Sequence, residues 1–366
     1  MSSSPDALKI GLALTEKVGP VTAKKLVAHA GSLENFYKLT KKDLLEIEGI
    51  SHTLAAKISQ QNVLKDAEMH ASWCAKHQVR VVSFWDKEYP QRLRNCDDGP
   101  VVLFVKGQGE LNQDRALSIV GTRNITHYGR AFIEQLIEGL RPFGVQIISG
   151  LAYGVDIEAH RQALRFGMST VGVMGHGPDV IYPAIHRNTA DEMLVKGAVI
   201  TEFVPGTPPD RENFPTRNRI VAGMADATLV VESDVKGGSI ITANLAHSYY
   251  RDVFALPGRV DDKYSAGCNK LIFDQKAAML RSADDLVEMM NWDLAGKKPG
   301  VQASLFLDLN PDEQILINYL RGSGKSPIDK IATEIDLPMP RCSSMLLELE
   351  FKGAVRSLPG RVFEAC

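Results

Sequence analysis

The stretch "ALSIVGTR", residues 116–123, decides the fold class, because a short apolar run ends there in a Gly-Thr-Arg turn before a helical segment. Similar runs recur along the chain: "VRVVSF", "VQIISG", "STVGVMG", "AVITEF", "ATLVVES" and "DVFALPG". Runs of this kind, alternating with helical stretches, are typical of strands buried on both faces. We therefore predict an α/β domain over residues 76–292, with a doubly wound, mostly parallel sheet and helices on both sides.

The turns after these runs carry the candidate ligand residues, because ligands of open α/β sheets bind beyond the carboxyl ends of the strands. Glycines, hydroxyls and cations at the start of a helix offer hydrogen-bond donors to phosphate. The candidates are Gly121, Thr122 and Arg123 in one turn, Ser149 and Gly150 in a second, Arg187 near a third, and Lys236, Gly237, Gly238 and Ser239 in a fourth. A small nucleotide needs one or two such turns, whereas a polymer with a phosphate at every step could use them all.

The segment "FPTRNRIVAG", residues 214–223, raises a question of charge. Pro215 is predicted to begin a helix, which places Arg217 and Arg219 in its first turn. Cations there oppose the helix dipole at a cost of about 0.3–1 kcal/mol each. Either a ligand anion compensates them or acids do so within the protein. The candidate acids are Glu202, Asp210 and Glu212.

The ring of Phe214 stands in the same segment among Arg211, Arg217 and Arg219, with Asn218 between the last two. An aromatic ring beside several cations suits a single nucleic-acid strand, because the ring stacks on a base while the cations follow the backbone. The alternative is a buried Phe beside arginines that are neutralised internally. Both alternatives stay open on the sequence alone.

Three further residues of these loops favour structural roles. Tyr182 follows a glycine-containing loop and, with His186 and Arg187, could add a ring and basic groups to the ligand edge, but packing within the protein is the favoured role for Tyr182. Asp156 and His160 lie four residues apart on one helical face, which fits half of a metal site or an acid–base pair. No third ligand has a suitable spacing, so we expect this pair to hold the loop and no metal or cofactor to bind. The sequence also contains no nucleophile elbow, HExxH motif or paired-carboxylate arrangement.

Charge and composition limit the remaining possibilities. The formal net charge of −2 over 366 residues excludes a generally basic coat, so any polyanion site must be a local patch. The first residues have no basic region and no run approaches 18 apolar residues, so we expect neither a signal peptide nor a membrane span. Five cysteines at irregular spacing, without a CxxC pair, predict a reduced, cytoplasmic protein without a zinc site.

The two ends of the chain differ from its middle. Residues 1–70 contain two similar pieces, "KVGPVTAKKLVAHAG" and "EIEGISHTLAAKIS", which resemble a tandem helix–hairpin–helix domain. Its glycines either let backbone amides approach the phosphates of a duplex or only turn the chain of a small helical scaffold. Residues 293–307 lack any periodic pattern and are predicted to be a linker. Residues 308–366 have the outline of a winged helix. Its third helix carries one Arg and two Glu, so contact with another protein or packing on the middle domain is favoured over contact with duplex DNA.

Six motifs in order resemble those of the DNA-processing protein A (DprA/Smf) family. They are "SIVGTR", "SGLAYGVDIEAH", "VMGHGPDVIYP", "FPTRNRIVAG", "VVESDVKGGSIITANLA" and "FALPGRVDDKYSAGCNKLI". The resemblance is strong over about residues 100–280 and weaker at both ends. It implies an extended Rossmann-like domain in a homodimer that is not an enzyme. It further implies binding of single-stranded DNA during natural transformation, with loading of the RecA recombinase and displacement of single-strand-binding protein.

The resemblance also assigns roles to residues of this chain. It makes Arg123 the first candidate for a phosphate contact, and Arg211 and Phe214 the cation and the stacking ring. Arg217, Asn218 and Arg219 match the family's Arg-Asn-Arg, of which not all three need touch DNA and one can brace the site. Gly237, Gly238 and Ser239 match its Gly-Gly-Ser turn. The apolar candidates for the dimer surface are Leu271, Ile272 and Met279, with packing inside the monomer as the alternative.

A small-nucleotide enzyme or sensor is the competing interpretation. Lysine-decarboxylase-like phosphoribohydrolases share the broad fold and use a Pro-Gly-Gly-x-Gly-Thr-x-x-Glu loop. Alignment of the paired glycines places Asn244 where that Glu would lie. Without the acid, cleavage of an N-glycosidic bond loses its obvious catalyst. A pure interaction scaffold without DNA binding is the third possibility.

Overall fold

The structure, a computed structural model, describes residues 4–60, 63–292 and 309–365. Within these ranges it consists of an N-terminal helical unit, a central α/β domain and a small C-terminal unit with its own sheet. The predicted linker at residues 293–307 lies outside the described residues. Within the described part of the chain, no helix combines the length and the apolar character needed to cross a membrane.

The N-terminal unit is built from six helices. They are α1 (Pro5–Leu14), α2 (Pro20–Ala30), α3 (Leu33–Phe36), α4 (Lys41–Leu45), α5 (His52–Gln60) and α6 (Val63–Lys76). Helix α6 continues past the predicted boundary at residue 70 and packs against α1. The apolar core of this unit includes Val81, Val102 and Phe104, which belong to the adjoining edge of the central sheet. The helical unit and the sheet edge therefore share one core.

The central sheet has nine strands. They are β1 (Arg80–Ser83), β2 (Val102–Lys106), β3 (Ala116–Val120), β4 (Gln146–Gly150), β5 (Thr170–Val173), β6 (Ala198–Thr201), β7 (Ala227–Val230), β8 (Asp252–Ala255) and β9 (Ala278–Met279). Their order is β1-β2-β6-β5-β4-β3-β7-β8-β9, and the seven strands from β6 to β9 run parallel, with β2 antiparallel to β6. The prediction of a mostly parallel α/β sheet is confirmed.

Helices cover both faces of this sheet. They are α7 (Gln91–Arg94), α8 (His127–Leu140), α9 (Val155–Arg165), α10 (Arg187–Met193), α11 (Asn213–Gly223), α12 (Gly238–Ser248), α13 (Ala266–Phe273) and α14 (Ala283–Met289), with 3₁₀ turns η1 (Arg141–Phe143) and η2 (Ala184–His186). Every residue of β3 and β4 is buried, and two separate apolar cores lie against the two faces. Burial on both faces explains the uninterrupted apolar runs of the sequence.

The strand order reverses at β3. From there the chain builds outward through β4, β5 and β6 on one side, and through β7, β8 and β9 on the other. Such a reversal opens a crevice at the carboxyl ends of the two central strands, which is the usual ligand position in this fold class. Because these strands are parallel, the loops after them all emerge at one edge, here called the carboxyl edge. The prediction that the candidate turns share one edge is confirmed.

The C-terminal unit is a winged helix that contacts the central domain. It contains α15 (Pro311–Ser323), β10 (Ser326–Pro327), α16 (Ile328–Glu334), α17 (Met339–Phe351), β11 (Val355–Leu358) and β12 (Val362–Ala365). In the turn between β11 and β12, the Gly360 amide donates to the Tyr250 carbonyl at 2.9 Å. Arg251 in turn donates to the Pro359 carbonyl at 3.2 Å. Residues 250–251 precede β8, so this contact lies at the amino edge, opposite the candidate turns.

The ion pair between Arg92 of α7 and Asp226 before β7 fixes the start of the central strands. The two side chains meet at 2.6 Å and are largely buried, and Asp226 also accepts from the Ala116 amide at 2.8 Å. We predict that Asp226→Ala lowers the free energy of unfolding by about 3–5 kcal/mol, because it leaves a buried guanidinium without its counter-charge. Urea unfolding of the full chain measures this.

The matched control is Asp261→Ala, which removes a carboxylate from the exposed pair between Arg259 and Asp261. Exposed pairs contribute at most about 1 kcal/mol, so this variant should unfold close to the wild type. Equal stability of the two variants would contradict the structural role of Asp226.

Candidate nucleic-acid interface

Four exposed cations mark the carboxyl edge. Arg123 follows β3, Arg187 begins α10, Arg211 precedes α11 and Lys236 precedes α12. None of the four forms an ion pair or a side-chain hydrogen bond with the described residues. Each therefore keeps its full charge and its donors available for an external anion.

Arg217 was predicted to contact DNA, but it is buried in the structure. Its side chain is buried with 6% exposure in the first turns of α11. Its guanidinium donates to the Val173 carbonyl at the end of β5, and its Nε donates to the Asn218 side-chain oxygen at 3.1 Å. Burial lowers the pKa of Arg217, and the negative charge of Asp156 opposes that shift. Arg217 is thus the bracing member of the Arg-Asn-Arg segment, and Asn218 orients it.

Gly150 at the end of β4 makes room for this buried charge. A Cβ atom on Gly150 would collide with the guanidinium of Arg217 and would lie 2.5 Å from a carboxylate oxygen of Asp156. The preceding Ser149 is fully buried, and its hydroxyl donates to the Ile119 carbonyl at 2.5 Å. The two residues were predicted as phosphate donors, and the structure corrects this, because both are enclosed by the protein and serve packing.

Arg219 is neutralised inside the protein. Its guanidinium forms an ion pair with Glu202 and donates to the Asp98 carbonyl, and its side chain is only 11% exposed. Burial raises the pKa of Glu202, while the charge of Arg219 lowers it again in part. For Arg219 the structure therefore corrects the predicted DNA contact in favour of the internal acid. Helix α11 also begins at Asn213, two residues before the predicted start at Pro215.

An aromatic platform lies above the buried Arg217. The rings of Phe214 and Tyr182 have centroids 6.3 Å apart and planes inclined by 28°. Tyr182 is half-exposed, and the Arg217 guanidinium lies 6.0 Å from the centre of the Phe214 ring. The expectation that Tyr182 packs within the protein is wrong for its ring, which offers surface beside Phe214. Its position next to Phe214 comes from the loop after β5 and has no signal in sequence spacing.

The Gly-Thr-Arg turn after β3 uses its amides internally. The Thr122 amide donates to the Glu232 carbonyl at 2.6 Å, and the Asn124 amide donates to the Thr122 hydroxyl oxygen at 3.1 Å. The carboxylate of Glu232 accepts from the Thr126 amide at 2.9 Å and occupies the start of α8. A Cβ on Gly121 would lie 2.9 Å from the Glu232 carbonyl, so this glycine serves a close approach within the protein. The guanidinium of Arg123 is the open donor of this turn.

The start of α12 is an open helix terminus at this edge. Its N-cap residue is Gly237, so no N-cap side chain accepts a hydrogen bond from the first amides of the helix. The amides of Gly238 and Ser239 have no acceptor among the described residues. No atom lies within 4 Å of the position a Cβ would take on Gly238, so an anion can approach the backbone closely. The Ser239 hydroxyl is not available, since it donates to the Ser233 hydroxyl oxygen at 2.7 Å and is buried.

The loop after β8 adds residues that the sequence interpretation missed. The Asn124 side-chain amide donates to the Tyr264 hydroxyl oxygen at 3.2 Å, which joins this loop to the Gly-Thr-Arg turn. Lys263 lies 3.7 Å from Asp234 and is largely exposed. The sequence does contain a signal for this loop, since "FALPG" is a further apolar run that ends at the same edge.

His160 and Asp156 are structural. The two ring nitrogens of His160 contact the Thr170 hydroxyl oxygen at 2.7 Å and the Gly150 carbonyl at 2.6 Å. Burial raises the pKa of Asp156, and the charge of Arg217 lowers it again in part. Across the described ranges, no three His, Cys, Asp or Glu side chains form a group suited to a metal ion. The predicted loop-holding role of this pair agrees with these contacts.

The three candidates for the dimer surface differ in how exposed they are. Leu271 is buried in the core of the monomer and Ile272 packs against that core, so the alternative of internal packing applies to both. Met279 is half-exposed on the edge strand β9. Phe273, which the sequence interpretation did not select, ends α13 with 86% of its surface exposed.

Comparisons with known proteins agree with this geometry. Residues 80–291 match the family model described as DNA recombination-mediator protein A, residues 306–361 match a DprA winged helix domain, and residues 12–61 match a SAM-like helix-hairpin-helix tandem. Protein Smf of a Synechocystis species is 35% identical over the full length of both chains. The predicted family resemblance is confirmed.

Two solved structures are similar to this chain. DNA processing protein A from Streptococcus pneumoniae is 30% identical, with a TM-score of 0.65, over 79% of this chain and 98% of that one. DNA processing protein A from Helicobacter pylori is 27% identical, with a TM-score of 0.54, over 59% of this chain and 97% of that one. The Helicobacter pylori structure is described as giving insight into a single-stranded DNA binding mode.

The buried ring of His160 predicts a pH dependence of stability. Burial lowers the pKa of His160 to about 4 from its ordinary value of 6.5. The unfolded chain therefore binds this proton more readily, so the contribution of the neutral ring is complete above pH 6.5 and is lost as the pH falls toward 4. The free energy of unfolding of the wild type, relative to that of His160→Gln, should fall by about 2 kcal/mol between pH 7 and pH 5. Urea unfolding of both proteins at each pH measures it, and a constant difference would contradict burial of a neutral ring.

Proposed function

The chain belongs to the DNA recombination-mediator protein A family, and on that premise we propose that it binds single-stranded DNA along its carboxyl edge. The bound strand lies across the loops after the central strands and is held chiefly by its phosphates. The protein then protects incoming single-stranded DNA during natural transformation and loads the RecA recombinase onto it. It is a binding protein of the cytoplasm in this proposal, with no chemical step of its own.

The proposal rests chiefly on which cations are exposed without an ion pair and which are paired inside the protein. Arg123, Arg187, Arg211 and Lys236 are exposed without ion pairs to described residues, on four different loops of one edge. Arg219, on the same helix as the bracing Arg217, is paired internally. A molecule of net charge −2 thus keeps free positive charge at several separate points of one edge. A polyanion can use all of these points at once, whereas a mononucleotide cannot.

The aromatic platform and the start of α12 support the same ligand. Phe214 and Tyr182 offer ring surface close to Arg187 and Arg211 in the chain, which suits stacking of bases without sequence preference. The open amides at the start of α12 suit a backbone phosphate. The Helicobacter pylori relative, whose description concerns single-stranded DNA binding, adds support from a similar protein.

The partners proposed here follow from the ligand. A strand bound through its phosphates on an open edge leaves room for single-strand-binding protein and RecA to meet on neighbouring nucleotides. The winged helix contacts the amino edge, so it leaves the carboxyl edge open. The family's name as a recombination mediator supports RecA as the protein that receives the DNA.

Charge reversal at the carboxyl edge tests DNA binding. We predict that Arg123→Glu or Arg211→Glu weakens binding of a labelled oligothymidine roughly tenfold or more, because a hydrogen bond to a charged group contributes about 1.5–3 kcal/mol. Each variant should also flatten the dependence of log affinity on log salt, by about 0.7 for each phosphate that it no longer neutralises. Fluorescence anisotropy titrations at three or more salt concentrations measure both quantities.

Arg141→Glu is the matched control, because Arg141 is an exposed arginine of η1 at the amino edge. It should bind as the wild type does. Wild-type affinity in both carboxyl-edge variants would refute the proposal.

Assay of the wild type for AMP hydrolysis tests the competing interpretation. Asn244 is exposed on α12 and accepts from Lys276 at 3.4 Å, so we expect no turnover.

We also propose that the protein forms a homodimer through the face that carries Phe273 and Met279. Both side chains are apolar and exposed close to the outer strand of the sheet, β9. An exposed apolar face beside a sheet edge is a common protein contact. RecA loading requires no residue of this face in the proposal.

Substitution at this face tests the dimer. Phe273→Glu should give a monomer with wild-type thermal stability, because its ring is 86% exposed within its own subunit. Light scattering after size-exclusion chromatography measures the mass. Ile315→Glu, at an exposed apolar residue of α15, is the control and should leave the mass unchanged. A dimer that persists in Phe273→Glu would exclude this face.

A further inference from the structure

A groove at the carboxyl edge contains residues that the site described above does not use. It runs over the first turns of α8 and α9 and has a volume of about 480 Å³. It is lined by Arg123, Arg130, Tyr153, Arg161, Ile185 and His186. This volume falls within the range of small-ligand sites, roughly 300–1,000 Å³. The strand path proposed above leaves Arg130, Tyr153, Arg161 and Ile185 without a role.

We propose that this groove is a second nucleotide-binding site, which takes the continuation of the DNA strand after it has crossed Arg123. The inference rests on the proposed function and extends it, since it gives the strand a direction. The strand leaves the crevice between β3 and β7 and turns over α8 and α9.

The charge of the groove suits phosphate. It contains three arginines and one acid, Glu158, whose side chain is 11% exposed. Glu158 lies 3.7 Å from Arg130 and accepts from Gln162 at 2.8 Å, so its charge is largely compensated. Arg130 remains half-exposed, and Arg161 forms no ion pair or hydrogen bond with the described residues. Besides Arg123, the guanidinium of Arg161 is therefore open to an anion, whereas Arg130 is shared with Glu158 and offers only its exposed part.

The apolar side of the groove suits a base. Tyr153 is half-exposed, and its ring packs edge-on against His186 with centroids 5.0 Å apart and planes inclined by 70°. His186 is itself fixed, since its Nδ1 contacts the Leu151 carbonyl at 2.7 Å. Burial lowers the pKa of His186, which favours the neutral form of this supporting ring. Tyr153 is thus held with a free ring face, and Ile185 beside it is 72% exposed.

A nucleic-acid strand fits this combination better than a protein partner. Arginines spaced around a supported aromatic ring match a backbone with alternating phosphates and bases. Arg123 lines the groove and also stands on the loop after β3, so one residue joins the two sites. A strand that contacts Arg123 can therefore extend into the groove.

The lengths of bound oligonucleotides separate the two sites. We compare oligothymidines of about 6 and about 20 nucleotides, which bracket the site sizes of single-strand-binding folds. In Arg161→Glu and in Arg130→Gln, affinity for the longer strand should fall roughly tenfold, with unchanged affinity for the shorter one. Arg141→Glu is the control and should leave both affinities unchanged. Thermal melting confirms that each variant is folded.

The remaining outcomes contradict the inference. Unchanged affinity for the longer strand excludes the groove, and equal loss for both lengths makes its arginines part of the first site. The proposed function is judged separately, by whether the wild type binds the shorter strand and whether Arg211→Glu weakens that binding. Photocrosslinking gives a second measurement. A 5-iododeoxyuridine placed near one end of the longer strand should attach to Tyr153, and attachment only to Phe214 or Tyr182 would overturn the inference.

Discussion

The buried guanidinium of Arg217 is the interaction on which the carboxyl edge depends. It lies where β4 and β5 end, in the space left by the missing side chain of Gly150, and it donates to the Val173 carbonyl. A buried charge without partners would cost several kcal/mol, so the surrounding loops must keep the positions that satisfy it. Because Phe214 precedes Arg217 on the same helix, the position of the aromatic platform follows from the position of this charge.

The arginines of the site therefore form two groups, one buried and one exposed to solvent. Arg217 and Arg219 bond to partners inside the protein, and they hold α11 against the sheet and against Glu202. Arg123 and Arg211 have no such partners among the described residues and face solvent. The inner pair makes the surface rigid, and the outer cations make it attractive to a polyanion. A rigid surface loses less conformational entropy when a flexible strand binds, which favours affinity from few contacts.

The sequence predicted the sheet, its carboxyl edge and the family, because uninterrupted apolar runs and ordered glycine turns depend on local spacing. It could not tell which arginines are buried. That depends on Gly150 and the Val173 carbonyl, which are distant in sequence from Arg217 and meet it only in the fold. The exposure of Tyr182 and the burial of Leu271 have the same origin. Apolar or aromatic character is visible in a sequence, but the neighbour that covers it is not.

Amide hydrogen exchange with and without an oligothymidine tests the central claim most directly, since backbone donors at the carboxyl edge are part of that claim. The account predicts slower exchange on binding in residues 235–240, with no change in residues 141–145 at the amino edge. Slower exchange confined to residues 141–145, or to residues 355–365 of the winged helix, would contradict it. The open amides of Gly238 and Ser239 should respond most, because nothing else in the described chain occupies them.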